Sequence, residues 1–385
     1  MLQWRRLDVL IVMIFVLGSK QISFTHGYIR TFHKVIDNVQ SNKQTSSTIQ
    51  SIYLPVVFKK PFKEFSYYIA STEKLYELGQ KRGKFYSHSR EISEGIVILA
   101  FGAADGNDRV LIYDYMTFLT PNDIKQHVQN YVRGFYGELG MSDAILTVVV
   151  GVNSSRSLSQ NHGSNWGLMI NDLNSWAGQY GYSGQVRIVG GIDAETNWRS
   201  PSESREWANG YSLTSYYRAY NFGTASGCPL DLPSTEPQYQ NPTPQTCPTV
   251  QGPTPAWTQD DVYYVSWMGD MWPLPEIYNT VGANADQWYR IGLYSKLKYN
   301  NTMHFYGSLT QFYACEQQRD PITKQLPADC IGTNNYPSVG YAQLLDRLQS
   351  DPYNRIAYPM IFMTDIYGIT GIQWKKIPST EIFSC

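Results

Sequence analysis

The stretch "VRIVGGIDAETNW" occupies residues 186–198. An apolar, β-branched run leads into Gly190 and Gly191. Two carboxylates follow one residue apart, Asp193 and Glu195, and Trp198 comes three residues later. A strand that ends in polar groups beside an aromatic ring is what a parallel barrel places at its functional face. If the strand runs on through both acids, their side chains point the same way, with α-carbons about 6.5 Å apart. Two carboxylates that close in a partly dry setting repel. One then keeps its proton and can serve as a general acid. The competing reading is structural: residues 193–197 would cap a helix that begins near Pro201.

Working outward, the same kind of run recurs. Apolar, β-branched stretches lie at 95–101, 110–115, 144–151, 186–192, 216–222, 262–267, 303–309 and 356–363. Several are nearly continuous, as expected for parallel strands covered on both faces. Helical stretches separate most of them, at 122–139, 165–180, 201–208, 283–297 and 339–348. The first opens behind Thr120 and Pro121, a cap and first-turn pair. The second carries Trp166, Met169, Ile170, Leu173 and Trp176 at helical spacing. Strands alternating with helices predict α/β architecture with a parallel sheet. Eight repeats predict a (β/α)8 TIM-type barrel. A doubly wound open sheet is the alternative, but "FGAADGND" at 101–108 lacks the G-x-G-x-x-G phosphate fingerprint.

The barrel fills residues 62–385. Residues 28–61 read as a polar linker and an extended lead-in, since Pro55 and Pro61 forbid helix there. Residues 1–27 read as a signal peptide or N-terminal anchor. Trp4, Arg5 and Arg6 form a basic start, and 9–17 is an unbroken apolar run, far short of the ~20 residues that span a bilayer. No A-x-A-like cleavage triplet follows, so membrane contact through an uncleaved anchor stays open.

Cysteine usage agrees with a secreted or extracytoplasmic chain. Cys228 and Cys247 flank one loop, and Cys315 and Cys330 flank another. Local pairing makes two disulfide-closed loop insertions. Cys385 is left over, free or available for an intermolecular link. Lys and Arg total 31 against 32 Asp and Glu, so no basic excess points to nucleic acid. Thirty tyrosines and ten tryptophans supply flat faces with polar handles, the surfaces on which sugar rings stack.

In a barrel, the chemistry belongs after the strands. There the chain offers Asp105, Asn153, Asp193, Glu195, Trp198, Asn221, Trp267, Glu276, Gln311 and Asp365. Glu195 and Asp193 are the candidate catalytic pair, and the others are candidate substrate contacts. Glu276 either lines the cleft or caps the helix near Ala283. A divalent cation at Asp193, Glu195 and Asp365 is chemically feasible, but no motif demands one. We expect no metal and no cofactor: the six histidines are scattered, H-E-x-x-H is absent, and no G-x-S-x-G elbow occurs.

"IDAE" at 192–195 resembles the D-x-E signature of glycoside hydrolase family 25 and related glycoside-hydrolase-like barrels. The resemblance implies that Glu195 is the proton donor and Asp193 its assistant. Those barrels also carry an aspartate within the first strand, where this sequence reads "IVILAFGAAD" at 96–105, with its first acid at Asp105. "IYLPVV" (52–57), "PLPEIY" (273–278), "GANADQW" (282–288) and "MTDI" (363–366) resemble uncharacterised exported bacterial barrel proteins. Together these imply a secreted barrel acting on cell-wall or extracellular polysaccharide by carboxylate acid/base catalysis. The alternative is a non-catalytic carbohydrate-binding or surface structural barrel.

Overall fold

A computed structural model describes residues 63–89, 92–106, 108–230, 242–249, 253, 255–351 and 360–367. The expected signal or anchor, the linker with its "IYLPVV" and Cys385 lie outside the described residues. So does the first half of the expected strand at 356–363, while its end falls on the last strand described.

The described residues form ten strands: β1 (Lys63–Tyr68), β2 (Glu94–Asp105), β3 (Arg109–Leu111), β4 (Phe118–Leu119), β5 (Ile145–Asn153), β6 (Val186–Asp193), β7 (Ala219–Asn221), β8 (Met271–Pro273), β9 (Gly307–Thr310) and β10 (Phe362–Ile366). Eight of them pair in parallel in the order β8-β7-β6-β5-β2-β1-β10-β9. A parallel bridge between Glu276 and Leu309 joins the two ends of that order. The result is a nearly closed TIM-like barrel. Helices alternate with its strands: α1 (Leu75–His88), α2 (Pro121–Leu139), α3 (Gln160–Gln179), α4 (Pro201–Thr214), α5 (Gln259–Trp267), α6 (Ala283–Tyr299), α7 (Phe312–Gln317) and α8 (Pro337–Gln349).

The count of eight agrees with the sequence, but two members differ. The first barrel strand is β1, which periodicity passed over because "KEFSYY" is too polar. Its Glu64 is buried, yet it is partnered by Arg82 and Tyr86 of α1. The expected strand at 110–115 is not in the barrel. Its first part, β3, returns antiparallel along β2 and then pairs with β4. The register of β2 shifts between Ala100 and Ala103, and Gly102 has φ +109°, where a Cβ would meet the Leu111 carbonyl oxygen. That bulge turns the chain out into the hairpin. The expected strand at 262–267 is helix α5. A capping box between Thr258 and Asp261 starts it, and this local signal outweighs the β-branched composition. The barrel position belongs instead to the short β8.

Two cores follow from strand alternation. Ile96, Ile98, Val149, Tyr220, Phe222 and Leu309 fill the barrel interior. A larger cluster, including Val97, Leu99, Val148, Val150 and Ile188, lies between sheet and helices. Each fully buried large side chain contributes about 1.5–3 kcal/mol relative to exposure. The expected cap of α2 is present, with Thr120 and Asp123 bonded reciprocally.

The two glycines of the opening stretch have separate reasons. A Cβ on Gly190 would lie 2.4 Å from the Tyr211 ring of α4, whose hydroxyl accepts from the Gly190 N–H at 3.0 Å. A Cβ on Gly191 would lie 2.9 Å from the Phe222 ring and 2.5 Å from Val149. One glycine lets a helix residue close on the sheet. The other lets Phe222 fill the barrel beneath Asp193.

Both expected disulfides form, Cys228–Cys247 at 2.03 Å and Cys315–Cys330 at 2.08 Å. They fit an oxidising compartment. Among the described residues, no helix is long and apolar enough to cross a membrane.

Candidate active site

β6 ends at Asp193, paired in register with Asn153 at the end of β5. Its position two residues beyond Gly191 turns Asp193 into the barrel mouth, where it is 2% exposed. The chain then leaves the strand but stays tethered. The Ser154 N–H donates to the Asp193 carbonyl at 3.0 Å, and the Glu195 N–H donates to Ser154 Oγ at 3.0 Å. The Ala194 N–H donates to Asn221 Oδ1 at 3.3 Å. Glu195 is therefore held back over the mouth. As a residue it is half-buried, while its carboxyl group is enclosed by protein.

A third acid completes the group. Glu276 follows β8, where the chain bridges to β9, and is 6% exposed. One oxygen each from Asp193, Glu195 and Glu276 lie within 4.8 Å of one another. Among the described residues, this is the group with the spacing to hold a cation. Glu276, not Asp365, joins the pair. Phenols surround it. Tyr68, at the end of β1, donates to Asp193 Oδ2 at 3.3 Å. Tyr278 donates to Glu276 Oε1 at 2.6 Å. Tyr113, carried in beyond β3, stacks on Tyr68 with ring centroids 4.9 Å apart. Asp193 Oδ1 is enclosed and takes no hydrogen bond from an N–H or hydroxyl donor.

Three enclosed carboxyls cannot all ionise together. Burial, and then the charge of Glu195, raise Asp193 well above the ordinary carboxylate range, against the Tyr68 hydrogen bond. Burial raises Glu276 likewise, reinforced by the charges of Glu195 and Asp193 and opposed by Tyr278. Burial pushes Glu195 up to about 7, with hydrogen bonds to Glu276 and Asp193 acting in the other direction. The three titrate as a unit. Near neutrality the group holds protons, and because the charge of Glu195 raises the other two while their hydrogen bonds lower Glu195, Glu195 is the first of the three to ionise. The arrangement can deliver a proton and present a carboxylate within 4.8 Å of it.

The capping reading of residues 193–197 is overturned. Ser200 caps α4 by accepting from the Ser202 N–H. Glu276 does not cap α6 either, since that helix begins behind Gly282.

The remaining candidates divide. Asn153 lies at the mouth, donating to Tyr113 at 3.1 Å and accepting from Ser155. Asn221 is spent on backbone: its Oδ1 takes the Ala194 and Gly223 N–H groups, and its amide donates to Ser266. Trp198 is half-buried in the turn after Glu195, closed by its own N–H to the Glu195 carbonyl. Asp105 pairs with Arg109 at 2.7 Å on the hairpin. Asp365 accepts from Thr310 and from the Phe312 and Tyr313 N–H groups, tying β10 to the start of α7. Gln311 donates to Thr333 on the far side of the second disulfide loop. Trp267 lies apart from the group: it ends α5 ahead of β8, with its indole donating to Asn301. Asp365, Gln311 and Asn221 hold structure around the mouth, and Trp267 belongs to the opposite end.

Tyr68, Tyr113, Tyr278 and Ser154 were not read from the sequence. Tyr278 carried a usable signal, two residues after Glu276 in "PLPEIY". Tyr68 closes an alternation, Glu64, Ser66, Tyr68, that marks the end of a strand once β1 is recognised. The first barrel strand thus brings a tyrosine to Asp193 where the family 25 resemblance implies an acid.

The chain matches no known protein family, no curated protein and no solved structure.

Proposed function

We propose that this is a secreted glycan hydrolase acting on cell-wall or extracellular polysaccharide, with Glu195 as general acid. The observation that carries the reading is the carboxyl group itself: Asp193, Glu195 and Glu276 within 4.8 Å at the strand ends of a TIM-like barrel. Glycoside cleavage needs one protonated and one ionised carboxyl flanking the bond. Burial raises Glu195 to about 7, so near neutral pH part of the population carries it as the acid. Separations near 5–5.5 Å accompany retention of configuration, while inversion needs about 6.5–9.5 Å. The short spacing therefore favours retention, with Asp193 or Glu276 as the second carboxyl.

A non-catalytic carbohydrate-binding barrel is the second reading. It is favoured by Tyr68 standing at the mouth position of the first strand. One experiment separates the two. Wild type and Glu195→Gln are incubated with a panel of bacterial cell-wall and extracellular polysaccharides, and released reducing ends are measured. Release that falls about 100-fold or more in Glu195→Gln supports the hydrolase, since a positioned general acid contributes about 10²–10⁴. Unchanged release in the variant contradicts the role of Glu195. Binding without release supports the second reading.

A further inference from the structure

We propose that the sugar unit taken at this mouth carries a free amino group, its ammonium seated among Asp193, Glu195 and Glu276. The inference deepens the glycan-hydrolase reading and rests on it.

Two independent features point to a cationic donor. The first is charge. The groups that act most on the three carboxyls are one another, Tyr68 and Tyr278, all of them acids or phenols. Uronic-acid, sulfated and phosphorylated glycans would meet an acidic mouth without a counter-charge, and are disfavoured. The second is an unfilled acceptor. Asp193 is 2% exposed, and its Oδ1 takes no hydrogen bond from an N–H or hydroxyl donor. A buried acceptor of that kind gains from a charged donor supplied by a ligand.

An ammonium fits better than a divalent ion. Phenols already occupy Asp193 Oδ2 and Glu276 Oε1. The rest of the group is left to the hydrogen bonds that Glu195 shares with Asp193 and Glu276, which an ammonium would replace. An ammonium has three donors, and three carboxyl groups face it. Calcium takes 6–8 oxygen ligands and magnesium demands a near-ideal octahedron. An ammonium only donates, so a protonated Glu195 can meet it solely through its carbonyl oxygen. The Tyr68 and Tyr113 stack supplies an aromatic wall beside it.

The test is calorimetric binding to the full chain. The probes are glucosamine and galactosamine oligomers, their N-acetylated counterparts, a galacturonic acid oligomer, and calcium, magnesium and manganese chlorides alone. At least one free-amine oligomer is expected to bind about tenfold or more tighter than its N-acetylated form. Asp193→Asn and Glu276→Gln should each reduce that preference, with circular dichroism confirming the fold. Equal or tighter binding of the N-acetylated oligomers overturns the inference and leaves the hydrolase reading standing. Metal binding that is lost in Glu276→Gln, without amine preference, makes the mouth a cation site and overturns it too. Binding of no glycan in the panel tells against both.

Discussion

Tyr68 and Asp193, 125 residues apart in sequence, meet across the barrel mouth through a 3.3 Å hydrogen bond. It joins the first barrel strand to the fourth. The phenol pulls the Asp193 carboxyl downward against burial and the charge of Glu195. Tyr68→Phe is therefore expected to raise the Asp193 titration further. The cost in stability should be about 0.5–1.5 kcal/mol, measured by urea unfolding. No loss of stability and no shift in the carboxyl resonance would show that the contact is incidental.

The carboxyl group sets a pH dependence of stability. Glu195 goes from an ordinary value of 4.5 to about 7 on folding, and Asp193 and Glu276 move the same way. Between those values the folded chain binds more protons than the unfolded one, so stability falls as pH rises. Melting temperature is expected to drop from about pH 5 to pH 7.5, and Glu195→Gln should flatten the drop. A wild-type melting curve that rises steadily over this range, with no change in the variant, would contradict the coupling.

His162 acts in the opposite direction. It is 4% exposed, and its Nδ1 accepts from the Trp207 indole at 3.0 Å. Burial lowers it from 6.5 to about 4. The stability this neutral ring supports is present above pH 6.5 and lost as pH falls through about 4. Acid unfolding should therefore set in below about pH 5, and imidazole NMR should follow it. A His162 titration near 6.5 in the folded chain would refute the burial argument.

Gly191→Ala forces a methyl into the Phe222 ring and Val149. Overpacking of this kind costs about 1–3 kcal/mol. Phe222→Leu should recover part of that loss in the double variant, because the two residues share one volume. Simple additivity in thermal unfolding would mean that they do not.

The Cys315–Cys330 link closes a loop with a sequence separation of 15. A loop of about 15 residues is stabilised by about 3 kcal/mol through the unfolded chain. Cys315→Ser with Cys330→Ser should lower stability by up to that amount and loosen the Gln311 contact with Thr333. Unfolding at an unchanged midpoint would show that the link contributes nothing.

Much of this fold was legible because parallel strands leave continuous apolar runs and capped helices leave local signals. Strands at 144–151 and 186–192 and the Thr120 cap were read directly. β1 was not, because a buried Glu64 with partners on another element reads as polar in one dimension. α5 was misread because Val262, Tyr263 and Val265 suit a strand, while the deciding capping box is two residues of different type. The pair Asp193 and Glu195 was visible because both acids lie on one short stretch. That Glu276 joins them depends on barrel closure at the Glu276–Leu309 bridge. No local pattern encodes this, and Asp365, at a similar strand end, went to a helix start instead.

The most direct measurement is a carbon-13 NMR titration of the Asp and Glu carboxyls from pH 3 to 9, in wild type and in Glu276→Gln. Glu195 is expected to titrate near 7, with Asp193 and Glu276 displaced above the ordinary carboxylate range. Removing the third acid should then move the other two. Ordinary titration of all three near 4, unaffected by Glu276→Gln, would contradict a proton-holding carboxyl group at the barrel mouth.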